Sequence, residues 1–161
     1  MKHNSSVLLD TSFFIRLFNV EDPLHQKAKT YFERFLNEKY TLKISTVSIA
    51  EYCVGGDIND LPLLNMQIIP FNYYHAIRTG QFARILFAQR RITPEQLYPR
   101  AIIPNDSKLF AQADLDKTIT HFVTSDNRSN TTYGILAEKT ELNFLILNIE
   151  TEPNEFFGTL F

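Results

Sequence analysis

The fold is decided first by a short stretch near the amino terminus, VLLDTS at residues 7–12. Its first three residues form an apolar run of strand type that lacks the polar alternation of a half-exposed strand, so it predicts a strand buried on both faces. Asp10 ends this run and is followed by Thr-Ser-Phe-Phe-Ile, not by a solvated loop. The end of a parallel strand is where open α/β sheets bind ligands, so Asp10 is the first candidate for a functional acid.

Four further apolar runs of the same type follow, also predicted to be buried on both faces, and segments with helical spacing separate them. The predicted strands are Val7–Leu9, Leu42–Ile44, Gln67–Ile69, His121–Thr124 and Phe144–Leu147. Helices are predicted over about 23–38 and 72–90, from Asn105-Asp106 onward, and over a shorter segment at 132–139. Strands that alternate with helices are joined by right-handed crossovers, so the sequence predicts an α/β fold with a mainly parallel sheet and helices on both faces.

Length and composition indicate one globular unit. The chain has 161 residues, 44% of them hydrophobic, with 14 Phe. So much aromatic surface must be removed from water, which excludes a disordered chain. No repeat or linker divides the sequence, so a single domain is predicted over 1–161, with a core at about 5–150 and an apolar tail at 151–161. That tail is expected to pack on its own core, on a second subunit or on a partner, with its own core favoured.

Charge and cysteine content exclude several classes of protein. The 16 basic and 18 acidic side chains give a net charge of −2, which argues against a general polyanion-coating protein. The single cysteine, Cys53, allows no internal disulfide and no zinc cluster, and its neighbours predict a small buried side chain. No apolar run approaches the length of a membrane span, so a cytoplasmic protein without a membrane partner is expected.

Four acidic residues lie at the ends of predicted strands or near the starts of predicted helices. Asp10 and Asp126 follow the first and fourth strands, and Glu51 and Asp106 are expected to open helices. Structural explanations exist: Glu51 completes a capping-box pattern with Ser48, Asp106 suits the first turn of a helix, and Asp126 suits a turn. Taken together, four acids at one sheet edge would repel one another unless a cation lies among them. Oxygen ligands without His or Cys select Mg²⁺ or Mn²⁺.

Such a cation favours chemistry on phosphodiesters. Mg²⁺ polarises a phosphate and lowers the pKa of a bound water, which predicts hydrolysis without a covalent intermediate. The acids alone would repel a nucleic acid, so nearby cations are needed. The segment from Arg78 to Lys108 holds six basic and two acidic residues. The predicted RNA-binding cations in it are Arg84, Arg90, Arg91, Arg100 and Lys108.

The ordered set of motifs resembles that of the PIN-domain nucleases. The matching stretches are LLDTS at 8–12, TVSIAE at 46–51, NDSKLFA at 105–111 and VTSD at 123–126, with PFNYYHA at 70–76 between the second and third acids. The similarity spans about residues 5–150. It implies a three-layer α/β/α sandwich with a five-stranded mainly parallel sheet and an endoribonuclease that depends on Mg²⁺ or Mn²⁺.

The resemblance also assigns roles to particular residues. By motif position, the catalytic acids and metal ligands would be Asp10, Glu51, Asp106 and Asp126, with Asp10 and Asp106 the direct ligands. Thr124 and Ser12 would orient the carboxylates. Small bacterial members are commonly toxins of toxin–antitoxin pairs, which form homodimers and are neutralised by an antitoxin protein, so an RNA substrate, an antitoxin partner and a homodimer are expected.

Two alternatives stay open at this stage. The chain is alternatively a catalytically silent PIN-like module that binds RNA or protein, or a housekeeping RNA-processing nuclease. An aromatic residue often follows the fourth acid in this family, whereas Asn127-Arg128-Ser129-Asn130 follows it here. An aspartyl-nucleophile phosphatase is disfavoured because Ser12 stands where a second Asp is needed, and the chain lacks a P-loop motif.

Overall fold

The computed structural model describes residues 5–92 and 103–159. The described strands are β1 (Ser6–Leu9), β2 (Thr41–Ser45), β3 (Met66–Ile69), β4 (Ile119–Thr124) and β5 (Leu145–Asn148). The described helices are α1 (Thr11–Phe18), α2 (His25–Asn37), α3 (Thr46–Tyr52), α4 (Tyr73–Gln89), α5 (Asn105–Leu115), α6 (Asn127–Lys139) and α7 (Pro153–Phe157). Two single-turn 3₁₀ helices, Ile58–Asp60 and Leu63–Asn65, lead into β3.

The sheet is parallel throughout, with the strand order β3-β2-β1-β4-β5. All five predicted strands are therefore confirmed. The chain builds outward from β1 to β3 on one side, then crosses back to β4 and β5 on the other. The strand order thus reverses between β1 and β4, where Leu9 pairs with Val123. This reversal opens a crevice beyond the carboxyl ends of the two strands, which is the usual ligand position in such sheets.

An apolar core lies on each face of the sheet. Val7 and Leu9 point into one core, with Phe13 and Phe35, whereas Leu8 points into the other, with Phe110. This division follows from the alternation of side chains along β1. The first core packs against α1 and α2, and the second packs against α4, α5 and α6. The expected α/β/α sandwich is confirmed.

The edge strands are less buried than predicted. Gln67 and Ile68 in β3 and Leu145 in β5 are exposed. Burial on both faces, predicted for all five strands, is therefore wrong for the two outer ones. Each outer strand has a neighbour on one side only, and the helices cover the centre of the sheet more completely than its margins.

Helix starts differ from the prediction where capping side chains set them. α6 begins at Asn127, about five residues earlier than predicted, because the Asp126 side chain accepts a hydrogen bond from the backbone N–H of Arg128 at 2.9 Å. α3 begins after Ser45, whose hydroxyl caps the N–H of Val47 at 3.0 Å. Glu51 therefore lies in the last turn of α3 and does not open a helix, so its predicted capping box with Ser48 is wrong.

Cys53 is exposed, which contradicts the predicted burial. It is the C-cap of α3, and the chain turns outward there, leaving the following Val54 exposed as well. Apolar neighbours in the sequence did not indicate burial, because Ile49 and Tyr52 pack against the core whereas Cys53 follows the helix end and faces outward.

The carboxy-terminal segment packs on its own core over its described part. Phe156 and Phe157 of α7 contact the rings of Tyr31 and Phe35 in α2. The buried Arg34 guanidinium lies 4.5 Å from the centre of the Phe157 ring and donates to Oδ1 of Asn154 at 2.8 Å, which fastens α7 to α2. Among residues 5–92 and 103–159, no helix combines the length and apolarity needed to cross a membrane.

Candidate active site

Asp10 lies at the carboxyl end of β1 and caps α1. Its Oδ1 accepts a hydrogen bond from the N–H of Thr11 at 2.7 Å. Its Oδ2 accepts hydrogen bonds from the hydroxyls of Ser12 at 2.8 Å and Thr124 at 2.9 Å. Only 6% of Asp10 is exposed, and this burial raises the pKa of its carboxyl. Asp10 is thus a buried acid that accepts hydrogen bonds from the start of α1 and from the end of β4.

The hydroxyls of Ser12 and Thr124 extend this network across the crevice. Ser12 Oγ accepts from the N–H of Ser125 at 3.0 Å, and Thr124 Oγ1 accepts from the N–H of Asp126 at 3.0 Å. Both hydroxyls therefore tie the end of β4 to the Asp10 carboxylate. Ser12 and Thr124 are the two residues that the sequence analysis named as groups that orient the carboxylates. Their role in orienting carboxylates toward a metal stays a prediction.

Asp106 reaches the crevice from the first turn of α5. It does not cap that helix, since Pro104 is the N-cap residue, and its Oδ2 instead accepts a hydrogen bond from Ser129 Oγ of α6 at 3.1 Å. Burial, followed by the negative charge of Asp10, raises the pKa of Asp106 to about 6. The charge of Asp126 acts in the same direction, and that of Arg128 opposes it. Asp106 is therefore near enough to Asp10 for the two charges to repel.

Glu51 faces the same crevice from the last turn of α3. Its Oε1 is buried and has no hydrogen-bond partner within the described part of the chain. Burial raises the pKa of Glu51, and the charges of Asp10 and Asp106 raise it further, while the charge of Lys108 and a hydrogen bond from the Asn105 side chain to the carboxyl group oppose the shift. A buried carboxylate oxygen without a donor is costly unless a proton or a cation reaches it. This oxygen is the least satisfied atom of the acidic group.

Asp126 has a structural task as well as a place near the other acids. It caps α6, and its Oδ1 lies 3.5 Å from Nε of Arg128. Its charge also raises the pKa values of Asp10 and Asp106. The structural explanation offered for Asp126, a residue suited to a turn, is therefore correct in part, because Asp126 is the N-cap residue of α6. Both functions are compatible because capping uses Oδ1 alone.

The four predicted acids are therefore brought to one crevice by four separate segments. In residues 5–92 and 103–159, however, no three His, Cys, Asp or Glu side chains already stand as a ready-made set of metal ligands. Hydrogen bonds hold both oxygens of Asp10 and one oxygen of Asp106 and Asp126. Part of the oxygen atoms of these acids is thus already engaged by donors of the protein.

Two open clefts flank the acids on either side of Ile15 in α1. One, of about 430 Å³, is mainly apolar and includes Phe18, Tyr52 and Glu51 in its lining. The other, of about 470 Å³, is polar and includes Arg16, Asp126 and Arg128. Ile15 lines both, so the acids lie near two adjoining grooves of different chemistry.

Solved structures with a similar chain fold were found. One is the FitAcB structure from Neisseria gonorrhoeae, with a TM-score of 0.61 and 15% identity over 91% of this chain and 99% of the other. Another is VapBC2 from Rickettsia felis bound to a promoter DNA fragment, with a TM-score of 0.58 and 18% identity over 88% and 97% of the two chains. This chain has a PIN-domain fold. DNA-bound VapBC from Salmonella typhimurium is similar too, with a TM-score of 0.55 and 18% identity over 90% and 98%.

The likeness is one of structure and not of sequence. No protein-family model matches the chain, and no curated protein matches its sequence. At these identities the comparisons establish the PIN fold alone.

The predicted basic residues have different surroundings in this PIN fold. Lys108 does lie near it, since its charge acts on Glu51. Arg78 of the same basic segment is a structural residue, because its Nε donates to the buried carboxylate of Asp114 at 2.8 Å. The predicted Arg84, Arg90 and Arg91 are exposed, and Arg100 lies outside the described residues.

Sequence analysis missed two arginines that line the polar cleft. Arg128 falls two residues after the fourth acid, where the chain departs from the family pattern, and that departure was the available signal. Arg16 lies one helical turn after Ser12, on the same side of α1. A helix beginning at Thr11 would have revealed it, but no helix was predicted there.

The raised pKa of Asp106 predicts a pH-dependent stability. Its folded pKa of about 6 exceeds the ordinary value of 3.8, so the folded protein holds the proton more tightly and loses stability as pH rises from about 4 through 6. In metal-free protein, Asp106→Asn should raise the free energy of unfolding at pH 7 by on the order of 1–2 kcal/mol, with little effect near pH 4. Urea unfolding at both pH values measures this.

Glu138→Gln is the matched control, because Glu138 is an exposed acid of α6. It should change stability little at either pH. Equal stability of the parent and Asp106→Asn at pH 7 would contradict the raised pKa.

Proposed function

We propose that this protein is an endoribonuclease that hydrolyses RNA phosphodiesters with Mg²⁺ or Mn²⁺ at the crevice between β1 and β4. The observation that carries the proposal is the buried, partnerless Oε1 of Glu51, set among acids whose pKa values are raised by burial and by one another. Such an arrangement favours a bound divalent cation, because oxygen donors suit Mg²⁺ and Mn²⁺ and the cation offsets the repulsion. RNA as substrate rests on the resemblance to PIN-domain nucleases.

In this proposal each acid has a distinct position toward the cation. Asp10, Glu51 and Asp106 would hold it, and Asp126 would tune the site while capping α6. When bound, the ion supplies positive charge to the phosphate and acidifies water. Ser12 and Thr124 keep Asp10 oriented through their hydrogen bonds to Oδ2. Ser129 does the same for Asp106. Because the donors of these hydrogen bonds belong to helices and to a strand, they hold the carboxylates in one defined arrangement.

The proposed reaction has a direct test. Purified protein should cleave a fluorescent single-stranded RNA when MnCl₂ or MgCl₂ is added and should stop when EDTA is present in excess. A second readout is independent of activity, because MnCl₂ should raise the melting temperature of the parent by relieving the repulsion among the acids. A protein that neither cleaves RNA nor gains stability with either metal would refute the proposal. Stabilisation by RNA without cleavage would favour the silent-module alternative.

We further propose that the protein acts as a toxin, as a homodimer in the cytoplasm, and is neutralised by an antitoxin. The support is the fold shared with chains of VapBC and FitAcB complexes. A small DNA-binding protein encoded next to this gene should suppress RNA cleavage when the two proteins are co-expressed. A gene without such a neighbour, whose expression does not slow growth, would favour a housekeeping nuclease.

The predicted role of Arg90 and Arg91 can be tested by charge reversal. Arg78, near the start of α4, pairs with Asp114, near the end of α5, so the two packed helices run antiparallel. The end of α4 therefore points toward the start of α5, where Asp106 lies. The double variant Arg90→Glu/Arg91→Glu should weaken RNA binding about tenfold or more and flatten its salt dependence, as measured by fluorescence anisotropy. Unchanged affinity and salt dependence would show that these arginines are solvent-exposed surface residues that do not contact RNA.

A further inference from the structure

We propose that Arg16 and Arg128 form a phosphate-binding subsite in the polar cleft, for the RNA phosphate that adjoins the one to be cleaved. This inference rests on the proposed function, since it names how that same site would hold its substrate. The cleft measures about 470 Å³ and is lined by α1, by the end of β4 and by the start of α6. Asp126 lines it too, so the cleft continues from the acids.

Arg16 is already held in place for such a contact. Its Nη1 pairs with the Asp22 carboxylate, and its Nε lies 3.4 Å from Ser125 Oγ. Neither contact uses Nη2. Ser125 directly precedes Asp126, so these two contacts hold the Arg16 side chain beside the acids and restrict its motion. A guanidinium held by its other nitrogens loses little side-chain entropy when it binds a phosphate.

Arg128 brings a second positive charge from the opposite wall. Its side chain is 91% exposed and reaches Asp126 Oδ1 only at 3.5 Å, so it is free to turn toward a ligand. Its charge nonetheless acts on Asp106, where it opposes the rise in pKa. The guanidinium is therefore close to the acids and accessible from the cleft.

The charge balance of the cleft explains why two arginines are needed. Asp126 and Glu150 also line it and would repel an RNA backbone. Arg16 and Arg128 equal these two acids in number, but Arg16 already pairs with Asp22, so a divalent cation at the crevice would be needed to make the surroundings positive. Guanidinium also matches phosphate oxygens in geometry. Because the cleft leads directly to the acids, a phosphate of the scissile strand fits better than an acidic peptide of a protein partner.

The test uses a short fluorescein-labelled oligouridylate and the full chain with Asp106→Asn, which keeps the RNA intact. In that background Arg128→Ala should weaken binding about fivefold and reduce the slope of log affinity against log KCl by about 0.7, the value of one phosphate contact. Arg16→Lys should weaken binding similarly, because lysine retains the charge but lacks the guanidinium geometry. Lys139→Ala, which removes an exposed cation at the other end of α6, should leave both quantities unchanged.

Kinetics with Asp106 intact separate substrate binding from structural damage. Arg128→Ala should raise KM with little change in kcat. Because the Arg128 side chain is exposed, its removal should not disturb the fold, so misfolding would not account for the higher KM. The melting temperature of Arg16→Lys is measured alongside, and Arg128→Ala decides the question if Arg16→Lys is unstable.

The outcomes distinguish this subsite from the proposed function. If the parent cleaves RNA but Arg128→Ala binds oligouridylate with unchanged affinity and salt slope, the subsite is wrong and the nuclease proposal stands. If the parent neither binds nor cleaves RNA, both fail. If Arg128→Ala loses affinity for polyglutamate but not for oligouridylate, the cleft binds an acidic protein segment and the phosphate subsite is overturned.

Discussion

Asp10→Asn is expected to abolish metal-dependent RNA cleavage, with a loss of at least about a hundredfold, the scale for removing one group that stabilises charge at an active site. The replacement removes the negative charge that would bind the cation. The fold should persist, because asparagine caps helices as well as aspartate and its carbonyl still accepts from the N–H of Thr11. The hydroxyls of Ser12 and Thr124 can turn to accept from the new amide. Cleavage rates with MnCl₂ and a melting curve measure both effects.

Glu138→Gln again serves as the control for loss of one negative charge, and it should cleave RNA like the parent. Asp10→Asn should also lose the stabilisation by MnCl₂ that the parent shows. A variant that cleaves RNA at the parent's rate would remove Asp10 from the proposed mechanism.

Phe35→Ala is expected to cost about 3–5 kcal/mol of unfolding free energy, the range for truncating a buried phenylalanine. Phe35 is fully buried and contacts the rings of Tyr31, Tyr40, Phe156 and Phe157. Its loss would leave a cavity beneath α7 and weaken the packing of α7 on α2, where the contacts of Tyr31 and Arg34 would remain. Since small proteins are stable by only about 5–15 kcal/mol, the shift should be large in urea unfolding.

Leu36→Ala is the matched control, because Leu36 is the next residue of α2 and is 39% exposed. It should cost no more than about 1 kcal/mol. Equal losses for the two variants would contradict the packing of α7 on α2. Well below its melting temperature, Phe35→Ala should still cleave RNA, because the Phe35 contacts lie among α2, the start of β2 and α7.

Local sequence was sufficient where one short segment carries the whole signal. The central strands are mainly apolar runs of a few residues, and the burial of their apolar side chains follows from composition. Asp10 stands out because a charge directly follows such a run. The exposure of Ile68 in an edge strand and of Cys53 after α3 was not predictable in this way, because both depend on which elements cover them from elsewhere in the chain.

The basic residues show the same division. Arg78 and Arg128 are equivalent as charges in the sequence, yet one pairs with buried Asp114 and the other stands 91% exposed beside the acids. The difference arises from the partner that each side chain meets. Arg78 meets α5 across a helix pair, whereas Arg128 extends from the start of α6 into an open cleft.

The sequence by itself determined the α/β class, the five strands and the acids, because each depends on residues adjacent in the chain. Only the tertiary structure decided that Glu51 approaches Asp10 from the end of α3, that Ser129 rather than a helix cap holds Asp106, and that Arg16 shares a cleft with Arg128. These contacts join segments that are far apart in the chain, in the case of Arg16 and Arg128 by more than a hundred residues. They are fixed by the parallel strand order and by which helix lies against which face, and no local pattern encodes such distances.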